Sequence, residues 1–84
     1  MPLPTPQDLH RDIAAGLHCT HLDVQGDDGQ HFFATIVSPQ FIGKTRVQRH
    51  QLVYAALGER MRADIHALSM KTLTPEEFAA QSAH

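Results

Sequence analysis

Between two strand-like runs, QHFFATIVS (30–38) and IHALSMK (65–71), lies a helix start in which Thr45 is followed three residues later by Gln48, the reciprocal pattern of a capping box. A helix between consecutive strands of one sheet makes a right-handed crossover, so those two strands run parallel. Ahead of them, CTHLDVQ alternates, with Leu22 and Val24 facing one way and His21 and Asp23 the other, and GDDG supplies a hairpin turn. The hairpin demands antiparallel pairing and the crossover demands parallel pairing. Together they predict a three-stranded mixed sheet, with QHFFATIVS in the centre because it is apolar on both faces for part of its length.

Two more helices frame this unit. TPQDLHRDIAAGL opens with Thr5 as cap, Pro6 at the first helical position and Asp8 in the first turn, and Leu9, Ile13 and Leu17 form one stripe. Gly16 weakens the last turn of that helix. Thr74, Pro75 and Glu77 repeat the start signal for a short helix carrying Phe78. The helix begun at Thr45 is expected to reach about Arg62, with Val47, Val53, Tyr54, Leu57 and Met61 on an apolar arc of roughly 120°. The predicted order is α-β-β-α-β-α, an α+β fold with helices on one face of the sheet. It forms one domain over residues 1–84, with an ordered core from about 5 to 80.

A chain of 84 residues buries only about 60% of its unfolded surface, so its core is small. The single cysteine, Cys19, excludes an internal disulfide and a cysteine-only metal site within one chain. No run approaches the ~18 apolar residues of a membrane span, and MPLPTPQDLHRD lacks the basic and apolar regions of a signal peptide. The expected compartment is the cytoplasm, with no membrane partner. Charge is unevenly spread. Residues 1–43 carry Arg11 against five aspartates, whereas 44–71 carry six basic residues against Glu59 and Asp64.

No nucleophile elbow, P-loop or dinucleotide-binding turn occurs, and Gly26 and Gly29 belong to the hairpin. His18 and His21 flank Cys19, but in an extended strand only His21 shares its face, and a nucleophilic thiol needs a depressed pKa and a shaped pocket. These features do not indicate a stand-alone enzyme. The seven histidines raise the question of metal, yet none are spaced i, i+4 as in a helical zinc pair. One chain could supply only part of a site. His50 falls within the apolar arc of the middle helix, either as a hydrogen-bonded core-edge residue or as a ligand. Arg46, Arg49 and Arg60 form one edge of that helix, either a solvated face or a surface for carboxylate or phosphate recognition.

GQHFFATIVSPQFIGKTRVQRHQLVYAAL followed by IHALSMKTLTPEEF resembles the BolA-like protein family, in particular its short bacterial branch. The resemblance runs from residue 8 to about 80. It rests on His31–Phe32, on F-x-G-K at Phe41 to Lys44, on R-V-x-R-H-Q-x-V-Y from Arg46 to Tyr54, and on the C-terminal run. It implies a type II KH-like fold and a non-enzymatic adaptor role in iron–sulfur cluster assembly and trafficking. The implied partner is a monothiol CGFS glutaredoxin, bridged by a [2Fe–2S] cluster that glutathione also ligates. The isolated chain would hold no cofactor. The family's ligand histidine maps onto His66, and histidine in place of cysteine is known cluster chemistry. The loop in which many relatives carry a second ligand is here only GDDG, leaving His31 as the nearest candidate and Cys19 as a weaker one. Lys44, Arg46, Arg49, His50 and Arg60 are the expected contact residues. The resemblance also implies an alternative role as a DNA-binding transcriptional regulator using the basic 44–71 segment, although the KH family's GxxG clamp is missing after Gly43. A homodimer through the sheet is a third arrangement.

Overall fold

All three helix starts are built as the sequence predicts. The computed structural model of the chain describes residues 3–58 and 67–82. Helix α1 spans Pro6–Gly16 and α2 spans Arg46–Leu57, each opened by a reciprocal box, Thr5 with Asp8 and Thr45 with Gln48. The last helix, α3, spans Pro75–Ser82. There the Thr74 amide donates to Glu77 Oε1 and the Glu77 amide to Thr74 Oγ1. Each box satisfies two backbone N–H groups that would otherwise lack an intrahelical partner.

Strands β1 (His21–Gln25), β2 (His31–Val37) and β3 (Ala67–Leu73) form one sheet in the order β1-β2-β3. The first pair is antiparallel, with His21 opposite Val37, and the second is parallel, with His31 opposite Ala67. The mixed sheet and its central strand are therefore as predicted. Alternation places Phe32, Ala34 and Ile36 in the core with Leu9, Ile13 and Leu17 of α1 and Val53 and Leu57 of α2. Leu22, Val24, Leu68 and Met70 pack against the same cluster from the outer strands. Gly16 has a packing reason: a Cβ built there would lie 2.8 Å from Ala56 Cβ, so α1 and α2 approach too closely for a side chain.

Between β2 and α2 lies a 3₁₀ turn, Pro39–Phe41, which buries Phe41 completely. Ser38, also fully buried, fastens the turn. Its amide donates to Leu73 O, and its hydroxyl donates to His18 O while accepting from the Gln40 amide. Helix α3 packs at the end of β3, and Phe78 stacks on His21 with ring centroids 4.7 Å apart. Since Leu22 and Val24 point into the core, His21 lies on the other face, where it stays exposed beside Phe78.

Two expectations about α2 need correction. The helix ends at Leu57, where Gly58 takes φ +58° and its amide donates to Tyr54 O. With ψ at −131° this backbone is one that glycine adopts without a Cβ penalty, and it ends the helix; residues 59–62 lie outside the described residues. The apolar arc is also divided. Val53 and Leu57 are buried, but Val47 is 65% exposed and Tyr54 40% exposed. The sheet and α1 cover only a narrow stripe of α2, and the flanks of a broad arc remain in solvent.

Candidate functional site

Two places carry chemistry, one at each end of β3. The first is the hairpin end. Asp28 Oδ1 accepts from the amides of Gln30 and His31, and Asp28 Oδ2 lies 2.8 Å from His31 Nδ1. These bonds, the backbone ones foremost, hold the Asp28 carboxyl well below its usual range. The imidazole itself is 66% exposed. A carboxylate on Nδ1 fixes the ring's orientation and leaves Nε2 to face outward, the arrangement found behind metal-ligating histidines. The GDDG loop thus offers no histidine or cysteine but orients the imidazole that follows it. His31 pairs with Ala67, whose amide donates to Gln30 O, so β3 begins beside the oriented ring. His66, the principal expected ligand, lies outside the described residues, as does Arg60.

The second place is a cleft of about 610 Å³ between α2, β3 and α3, lined by Lys44, Arg46, Arg49, His50, Lys71 and Glu77 among others. It brings together four of the five expected contact residues. Arg49 differs from its neighbours in being 14% exposed at the side chain. Its Nε donates to Lys44 O, and its Nη1 donates to both Thr72 O and Glu77 Oε1. The guanidinium also lies 5.9 Å from the centre of the Phe41 ring. Arg49 therefore ties α2 to β3 and α3 before it contacts anything outside. Its hydrogen bond, with that from the Thr74 amide, lowers the pKa of Glu77. Burial and the nearby Arg46 charge lower that of His50, whose ring meets Tyr54 edge-on.

Cys19 lies outside both places. It precedes β1 and lines a shallow groove with His10, His18 and His21, so His18 and Cys19 border the same space that strict strand alternation would deny them. Burial raises the thiol pKa, and Sγ donates to Leu17 O, an environment opposite to that of a reactive thiolate. Among the described residues no three His, Cys, Asp or Glu side chains converge to hold a metal ion, and no helix is long and apolar enough to cross a membrane. The residues that sequence reasoning missed are Asp28 and Glu77. Spacing marks Asp28 as part of a turn signal and Glu77 as part of a cap signal, and neither pattern reveals the His31 ring or the Arg49 guanidinium as a partner.

The element order, the mixed sheet and the oriented histidine at the hairpin end describe a small KH-like module. The chain belongs to the BolA-like protein family, whose pattern it matches over residues 7–77. It is 40% identical over 76 residues to SufE-like protein 1, chloroplastic/mitochondrial, of Arabidopsis thaliana, covering 86% of this chain and 20% of that protein. With the DNA-binding transcriptional regulator BolA of Haemophilus influenzae it shares 46% over 52 residues, 62% of this chain and 50% of that one. These two curated relatives are thus spanned for half their length or less. A solved bolA protein homologue from Coxiella burnetii superposes with a TM-score of 0.80 at 45% identity, covering 90% of this chain and 97% of that one.

Proposed function

We propose that the chain is a non-enzymatic adaptor that contributes imidazole nitrogen to a [2Fe–2S] cluster shared with a monothiol glutaredoxin and glutathione. The observation that carries this reading is the Asp28–His31 pair beside the start of β3. An exposed ring with one nitrogen held by a carboxylate offers the other as a fixed donor, and the residue preceding Ala67 in the chain is His66. The donor set suits a shared site: this chain presents nitrogen, and the partner and glutathione bring thiolates. The basic edge of α2, with exposed Val47 and Tyr54 between its charges, provides a docking surface for the partner.

The test is to mix the protein with a glutathione-loaded, cluster-bearing CGFS glutaredoxin and to record visible absorption and circular dichroism. The wild type is expected to change the cluster spectrum, His66→Ala to abolish the change, and His31→Ala to weaken or reshape it. An unchanged spectrum alongside an intact heterodimer would refute ligation by these histidines. The second reading, DNA binding, is favoured by the basic cleft and by the name of the Haemophilus relative. It predicts saturable, salt-sensitive binding that survives His66→Ala and weakens in Arg46→Ala/Arg49→Ala.

A further inference from the structure

The chain carries a net charge of −2, yet the cleft between α2, β3 and α3 sets Lys44, Arg46, Arg49 and Lys71 against the single carboxylate of Glu77 among its described lining residues. Glu77 is bound to Arg49, and among the described residues Lys44, Arg46 and Lys71 form no ion pair. Three cations thus surround the space with their charge unmatched, and His50 lies among them. We propose that this cleft binds a compact polyvalent oxyanion of the diphosphate class, held by Lys44, Arg46, Lys71 and His50 above the Arg49–Glu77 pair.

The positive end of α2 is not what recommends the site, since Thr45 and Gln48 already cap it. The argument is the convergence of side-chain charge from a loop, a helix and a strand on one volume of about 610 Å³, within the range of small-molecule clefts. A compact ion fits better than a polymer for two reasons. Among the described lining residues there is no Phe, Tyr or Trp on which a base could stack. Glu77 and Gln81 of α3 also close a third side, where a carboxylate repels a continuing phosphate chain. His50 lines the cleft with Arg46 and Arg49 of its own helix, Lys71 of β3 and Glu77 of α3; burial first and the Arg46 charge second disfavour its protonation, and an anion there offsets the second. The site lies along residues 70–73 of β3, whereas His31 pairs with Ala67 at the start of that strand, so this proposal does not depend on the cluster reading.

Titrating the protein with sodium pyrophosphate at constant ionic strength, followed by amide NMR and calorimetry, tests it. The expected result is saturable binding of one ion per chain. Shifts should be confined to residues around 44–50, 70–73 and 77, and the His50 ring should titrate at higher pH in the saturated protein. Arg46→Ala and Lys71→Ala are each expected to weaken binding about two- to fivefold, the scale of one exposed charge pair. Arg11→Ala, whose guanidinium pairs with Asp8 on α1, should leave it unchanged. Shifts that fail to saturate or spread equally over α1, or an Arg46→Ala/Lys71→Ala protein that binds as tightly as wild type, would overturn the proposal. So would a single-stranded oligonucleotide that displaces pyrophosphate at lower concentration, which would assign the cleft to a nucleic-acid backbone.

Discussion

Asp28 serves three donors at once, the amides of Gln30 and His31 and the ring of His31, and so it closes the hairpin turn while aiming the imidazole. Replacing it separates the two roles. Asp28→Ala is expected to speed hydrogen exchange at the Gln30 and His31 amides while the amides of Ala34 and Ile36 in the strand centre keep their protection. On the proposed cluster role it should also broaden the spectral change expected from His31 with cluster-loaded glutaredoxin, because an unrestrained ring samples several orientations. Unchanged exchange at both amides would show that the carboxylate does not hold the turn. From the sequence, Asp28 could be read only as a turn residue. Its second partner lies three positions away across a bend whose geometry GDDG does not encode.

At the scale of elements, Arg49 links three pieces of structure that are distant in sequence. Its hydrogen bonds to Lys44 O, Thr72 O and Glu77 Oε1 join the start of α2, the end of β3 and the first turn of α3. Arg49→Ala removes a largely buried, charge-assisted group and is expected to cost about 1–3 kcal/mol, measured by urea unfolding. In an Arg49→Ala/Glu77→Ala cycle the double mutant should lose less than the sum of the single losses. Strict additivity would mean that the pair is not coupled. The arginine edge of α2 is legible from helical spacing, but spacing assigns Arg46 and Arg49 the same role. Only the neighbouring β3 and α3 distinguish the exposed cation from the one that fastens the fold.

The whole molecule is expected to lose stability with acid in two stages. His50 has a lowered pKa when folded, so the unfolded chain takes up this proton first. Its contribution is fully present above the ordinary histidine value, about pH 6.5, and is lost as pH falls through the lower folded value. Asp28 and Glu77 are also depressed, and their contributions are present above about pH 4 and lost as pH falls through their folded values. Thermal melts should therefore be nearly level at neutral pH, decline below about pH 6.5 and fall again below about pH 4. His50→Asn should remove the first decline and leave the second. A first decline that persists in His50→Asn would place it on another group.

The sequence by itself determined the elements and their order. Capping boxes, the hairpin turn and the period-2 alternation act over a few residues, so their physics is local and can be read locally. It also determined the parallel crossover, because the chirality of the connection leaves little choice. Tertiary structure alone decided which side of α2 is covered, where Arg49 finds its partners and why Gly16 must be small. It also turned the residues around Lys44, Arg46, His50 and Lys71 into one cleft. These outcomes depend on contacts between segments 20 or more residues apart, as between Arg49 and Thr72. Such contacts form only once the sheet has set the distances among the helices.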